Sequence, residues 1–97
     1  MNSVYLNQWS IKEIESDGSH HFIGFDLNSR QIVVSPCIIS FLKSTRTGIT
    51  RNEKQYFLVG EPGSSTSIEK VWETWCKERS IPELEWVDIT KEYVGTE

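Results

Sequence analysis

Reactive and ligating residues are scarce in this chain. Its 97 residues include only two cysteines, Cys37 and Cys76, and two histidines, the adjacent His20 and His21. Two cysteines so far apart make neither a metal-binding pair nor a disulfide framework, and both are expected as buried free thiols in a reducing cytoplasm. No cofactor and no metal are expected. No apolar run approaches the ~20 residues of a membrane span. The run Met1 to Trp9 lacks the basic start and the long apolar stretch of a secretory signal. There is no repeat, no low-complexity stretch and no proline- or glycine-rich linker. One domain over residues 1–97 is therefore expected, domains most often running to ~100–150 residues.

What is present is ordinary for a folded domain: 37% hydrophobic and 25% charged residues. Four Trp, three Tyr and four Phe supply core volume that the modest aliphatic content would not. The formal net charge is −4, which argues against general duplex binding, because affinity for phosphate backbones comes from clustered Lys and Arg. The charge is unevenly spread, however. Residues 43–54 carry Lys43, Arg46, Arg51 and Lys54 against Glu53 alone.

The first two-thirds read as strands. Trp9 and Ile11 alternate on one face of the first, and Ile14 on the other, a change of parity that suggests a bulge or strand end near Lys12. Asp17-Gly18 signals a two-residue hairpin turn, leading into a strand over His20 to Leu27. Asn28-Ser29-Arg30 turns again, and Ile32-Val33-Val34 suits a pleated surface up to Pro36. Ile38 to Leu42 is a further apolar run that Thr45 to Arg51 continues as a polar strand. Gln55 to Val59 follows the Asn52 turn. Glu61-Pro62-Gly63-Ser64 fits a type II turn with Gly63 at positive φ.

A helix over roughly Ser67 to Arg79 follows, with Thr66 as its cap and Glu69 completing a capping box. Ile68, Val71, Trp72, Trp75 and Cys76 fall on one face, with Trp75 expected among the buried anchors. A last strand is expected over Leu84 to Ile89. The order β-β-β-β-β-α-β describes an α+β fold: a curved antiparallel sheet, or a partly open small barrel, with one amphipathic helix packed on it.

Between residues 45 and 75, Thr45-Arg46, Thr50, Tyr56, Leu58, Gly60, Pro62-Gly63, Trp72 and Trp75 form a pattern. It resembles one in short uncharacterised bacterial proteins carried by phages, integron cassettes and other mobile elements. The resemblance covers about a third of the chain and implies an origin, with no catalytic set to carry over.

No residue cluster makes a catalytic site. His20 and His21 are neighbours in a strand and point to opposite faces, so they are expected as exposed hairpin histidines and not as a metal pair. Gly60-Glu61-Pro62-Gly63 lacks the Gly-Lys-Ser/Thr ending of a phosphate loop and is expected as a tight turn. The lead is the basic segment: Lys43, Arg46, Arg51 and Lys54 on neighbouring strands, with Tyr56 adjacent for stacking, as small barrels use to hold single strands. The expected function is non-enzymatic, an interaction or accessory protein of a bacterial mobile element. Its partner is an unidentified protein or a second copy of itself, a homodimer. Single-stranded nucleic-acid binding through residues 43–54 is the alternative.

Overall fold

β1 (Ser3–Ile14) organises the fold, and its apolar pattern changes phase halfway along. Val4 and Leu6 lie two apart, and Trp9 and Ile11 resume the alternation one residue late. In a regular strand the two pairs would face opposite sides of the sheet. The computed structural model describes residues 3–94 and resolves the conflict with a β-bulge between Asn7 and Ser10, where Gln8 takes φ +50°. All four apolar side chains then join one buried cluster. The bulge thus lies near Gln8, not near Lys12. Ile14 needs no irregularity, because it belongs to a second cluster beneath the helix. Gly24 stands opposite the bulge, where a Cβ would come within 3.1 Å of the Asn7 carbonyl and the Trp9 backbone.

β2 (Ser19–Asp26) pairs antiparallel with β1, and β3 (Gln31–Val34) with β2. The first hairpin turns through four residues instead of two: Ile14 pairs with Ser19, and Gly18 (φ +72°) donates its N–H to the Ile14 carbonyl at 2.8 Å. β4 (Ile38–Leu42), β5 (Thr47–Thr50) and β6 (Gln55–Leu58) follow as an antiparallel meander. Six strands precede the helix, not five, because the chain reverses at residues 43–46, with Arg46 at φ +52°.

The sheet is mixed and not antiparallel throughout. β6 lies parallel to the first part of β1 (Ser3–Leu6), and β7 (Trp86–Asp88) lies antiparallel to its end (Lys12–Ile14). The order is β3-β2-β1-β6-β5-β4, with β7 beside β1, and the sheet does not close. It does curl. β2 and β4 are four strand spacings apart, ~19 Å on a flat sheet, yet the Phe22 and Phe41 rings are 6.1 Å apart. Phe22 and Tyr56 fill the hollow with Val4, Leu6, Trp9, Ile11, Leu58 and Ile89.

α1 (Thr66–Glu78) covers the other face. Its cap is Ser65, whose hydroxyl accepts the Ile68 N–H at 3.1 Å; Thr66 is already helical. Glu69 does not return to the cap, because its carboxylate accepts from Ser64 and Lys12 instead. Ile68, Trp72 and Cys76 are the buried stripe, against Ile14 and Ile23. Trp75 and Val71 sit at its rim, half-buried. Trp75 stacks on Trp72 with centroids 5.1 Å apart, so the fully enclosed anchor is Trp72. Before α1, the turn expected at Gly63 also differs: Gly60 holds the positive φ (+71°), while Gly63 donates its N–H to the Trp9 carbonyl at 3.0 Å. The expected last strand is shortened by a 3-10 turn at Glu83–Glu85, and a short helix, α2 (Thr90–Val94), ends the described chain.

Lys12 is buried on the helix-covered face, with Nζ 3.2 Å from Asp88 and 3.4 Å from Glu69. Its ammonium also lies 5.0 Å from the Trp86 ring centroid. This ion set ties β1 to β7 and to the start of α1. Burial opposes ionisation of Asp88, but hydrogen bonds from Thr90 and the Lys12 charge outweigh it, and the carboxyl lies below its usual range. A depressed carboxyl pKa adds stability above its unfolded value, and that stability is lost as pH falls through the folded value. Asp88→Asn should therefore melt below the parent protein at pH 6, and the gap should close below about pH 4. A gap of constant size down to pH 2 would show that the charge on Asp88 does not stabilise the fold.

Candidate functional site

β5 divides the basic segment. Lys43 and Arg46 lie in the turn before it, and Arg51 and Lys54 in the turn after it. The strand's four residues hold the two pairs ~13 Å apart along the backbone, so the four cations do not converge. Arg46 is tied down locally, with Nη1 donating to the Gly60 carbonyl at 3.0 Å and its guanidinium 5.6 Å from the Trp9 ring centroid. Tyr56, the residue expected to stack a base, is buried in the hollow against Phe22, at 5.4 Å between centroids. Alternation along β6 places Tyr56 and Leu58 inward, so this aromatic is not at the surface. Burial accordingly pushes its phenol pKa up.

Beside this segment lies a more distinctive feature. β4 pairs with β5 on one side only and forms one edge of the sheet. Its sequence, Ile38-Ile39-Ser40-Phe41-Leu42, has no charged residue. A bulge between Ile38 and Ser40 leaves Ile39 as the extra residue, 59% exposed, and Leu42 is 64% exposed. Phe41 turns inward, where Tyr93 of α2 meets it edge-on at 4.9 Å. The opposite edge, β3, differs: α1 packs across it, and Ile32 and Val34 belong to the cluster beneath the helix. Elsewhere, Leu84 is exposed between Glu83 and Glu85, and Tyr5 stacks on Phe57 at 4.9 Å on the uncovered half of the sheet.

The two histidines do not behave alike. His20 lies between Glu13, at 3.4 Å, and the Tyr93 hydroxyl, at 2.6 Å, and so braces α2 against the hairpin. His21, expected at the surface, is buried. Its Nδ1 lies 2.8 Å from the Ser35 carbonyl and its Nε2 2.9 Å from Ser19 Oγ, which is in turn 2.7 Å from the Asp17 carboxylate. Burial holds its pKa below the usual value, opposed in part by the Ser35 carbonyl and by Asp17.

These groups line a cleft of about 660 Å³, together with Ser16, Cys37, Arg51, Trp75 and Arg79. The spacing Ser19-x-His21 was a readable sign of part of it, since alternate residues of a strand share a face, with Asp17 in the turn just before. Cys37 is half-buried at this cleft and Cys76 is buried under α1, where burial raises its thiol pKa. Among the described residues no group of three or more His, Cys, Asp or Glu is placed to hold a metal ion. No helix among them is long and apolar enough to cross a membrane.

In comparisons with known proteins, no family model, no curated protein and no solved structure matches this chain.

Proposed function

We propose that the chain is a non-enzymatic interaction protein of the cytoplasm whose immediate partner is a second copy of itself, paired through β4. The observation that carries this reading is the open, uncharged edge at Ile38–Leu42, with Ile39 and Leu42 exposed. Soluble proteins usually blunt such an edge with lysine, proline or a covering element. β3 is covered by α1, whereas β4 carries neither lysine nor proline and is blunted only by the Ile39 bulge and by Tyr93 of α2 against Phe41.

A two-fold antiparallel pair centred on Ser40 would set Ile38 opposite Leu42 and Ile39 opposite Phe41 of the other copy. No like charges would then face each other, and the two Lys43 side chains would fall at opposite ends. The Ile39 bulge interrupts regular pairing across the two-fold, which favours a modest, concentration-dependent dimer over an obligate one. The likeness of residues 45–75 to proteins of mobile elements supports an accessory role, in which the dimer presents its outer surfaces to another protein.

Light scattering from micromolar to several hundred micromolar protein tests this. The expected outcome is a rise from the 11.2 kDa monomer mass to twice that value. Leu42→Lys and Ile39→Lys should each weaken the dimer at least about tenfold, by burying a charge against the partner strand. A monomer mass throughout the range would refute the proposal.

A further inference from the structure

The cleft around His21 has a hydrogen-bond chain with one proton too few. The Ser35 carbonyl can only accept, so the hydrogen at His21 Nδ1 is committed to it at 2.8 Å. A neutral ring then offers a bare Nε2 to Ser19 Oγ at 2.9 Å, and the Asp17 carboxylate offers a bare oxygen to the same hydroxyl at 2.7 Å. Ser19 has one hydroxyl hydrogen for two acceptors. One of the two contacts is therefore left as oxygen or nitrogen against a lone pair, next to a buried ring. An imidazolium removes the conflict: Nε2–H donates to Ser19, and Ser19 donates to Asp17.

The charges around the ring decide whether it takes that second proton. Asp17 favours it. Against it stand burial, the Arg79 guanidinium at the end of α1, and the neighbouring His20. Arg51, from the turn after β5, adds a second guanidinium to the wall of the same cleft. Cys37 from the β3–β4 connection lines it too, and Lys12 is paired with His21 across β1 and β2, its own charge met by Asp88 and Glu69. Two guanidinia and a ring short of a proton line one solvent-open cavity, with Asp17 the carboxylate in its wall and Glu78 3.8 Å from Arg79 Nη1 beside it.

Arg51 forms no ion pair among the described residues, and its backbone is held by an N–H bond to the Cys37 carbonyl at 2.9 Å. Arg79 is positioned by its bond to the Trp75 carbonyl at 3.1 Å and by the Trp75 ring, 4.1 Å from its guanidinium. The Arg79 guanidinium is pre-placed and Arg51 is anchored at its backbone, and arginine's fork of donors matches the oxygens of a tetrahedral anion.

We propose that this cleft binds a small tetrahedral oxyanion of the phosphate or sulfate type, gripped by Arg51 and Arg79, with the His21 imidazolium beside them as a third positive charge. Binding then takes up a proton. The anion offsets the two guanidinia, His21 becomes the imidazolium, and the Ser19–Asp17 chain is completed. This site is separate from the β4 edge and does not depend on self-association.

Sulfate is the appropriate probe, because its charge stays constant across the pH range in which histidine titrates, whereas that of phosphate does not. Titration into the folded protein, followed by amide and histidine-ring NMR shifts, should give saturable changes centred on Ser19, His21, Cys37, Arg51 and Arg79. Affinity should fall about tenfold as pH rises from 5.5 to 7.5, because the complex holds one more proton than the free protein. Arg51→Gln, on an exposed turn, should keep the parent melting temperature and weaken binding about tenfold, the effect of losing one charge-assisted pair. Lys54→Gln, outside the cleft, should leave it unchanged. Phosphate at pH 6 should displace sulfate from the same residues. Non-saturating shifts spread over Lys43, Lys54 and the helix lysines would overturn the proposal. So would saturable binding that is indifferent to pH or to Arg51.

Discussion

Replacing Trp72 with alanine is expected to lower the free energy of unfolding by about 3–5 kcal/mol, the usual range for deleting a fully enclosed large aromatic. Trp72 is completely buried between α1 and the sheet and is wedged by two other tryptophans. Trp75 stacks on it at 5.1 Å, and Trp86 meets it edge-on at 5.6 Å. Its removal leaves a void that neither neighbour can fill without breaking its own contacts. Trp75→Ala should have less effect, about 1–3 kcal/mol, because that ring already lies half in water at the rim. Trp72→Phe should also be milder than Trp72→Ala. The Trp72 indole N–H has no hydrogen-bond partner among the described residues, so the phenyl ring forfeits volume but no bond. Urea unfolding of the three variants checks the order. A Trp75→Ala loss equal to or above that of Trp72→Ala would contradict the assignment of the anchor.

Gly48→Val should be the next most damaging change, by about 3 kcal/mol, the upper end of what overpacking a core usually costs. Gly48 is the buried centre of β5, held between β4 and β6, where it pairs with Phe41 and Tyr56. A Cβ there would overlap the Phe22 ring tip, and Phe22 is itself completely buried in the hollow of the sheet. Neither strand nor ring has room to retreat, since the ring is flanked by Tyr56 and Phe41. Curling the sheet around Phe22 requires a residue with no side chain at this point. Shortening the ring should partly restore stability, so Phe22→Leu with Gly48→Val should lose less than the sum of the two single changes. Additive losses would mean that the two residues do not compete for the same space.

The class of the fold and the helix were legible because they rest on local signals. The Ile68, Trp72, Cys76 spacing and the Ser/Thr cluster before it place α1 within a residue or two at each end. Which tryptophan anchors it was not legible, because positions 72 and 75 both fall on the apolar side, and only the sheet beneath decides between them. The β4–β5 reversal was missed because residues 43–46 contain no glycine or proline, and Arg46 adopts the left-handed conformation without advertising it. The parallel pairing of β1 with β6 joins residues some fifty positions apart, and no short-range pattern reports such a contact. The misplaced bulge has the same root. Trp9 and Ile11 show a correct alternation by themselves, and only Val4 and Leu6, counted together with them, reveal the extra residue.

The candidate sites divide in the same way. The basic segment was visible as composition, but its meaning depended on whether a strand separates its two halves, and β5 does. Tyr56 looked available because it follows Lys54 and Gln55, yet strand alternation turns it into the core. The uncharged run Ile38–Leu42 was visible as well, but its standing as a free edge is set by the sheet order. The His21 cleft draws on the first hairpin, the β3–β4 connection, the turn after β5 and the end of α1. Apart from the Ser19, His21 alternation with Asp17 just before it, nothing in the sequence brings those segments together.

Self-pairing through β4 is tested most directly by intermolecular contacts in a mixed sample of isotope-labelled and unlabelled protein at several hundred micromolar. The β4 pairing predicts backbone contacts between the two copies centred on Ser40, with Ile39 of one chain near Phe41 of the other. These contacts should disappear in Leu42→Lys. Intermolecular contacts centred instead on Leu84 or on the Tyr5–Phe57 face, or none at that concentration, would contradict it.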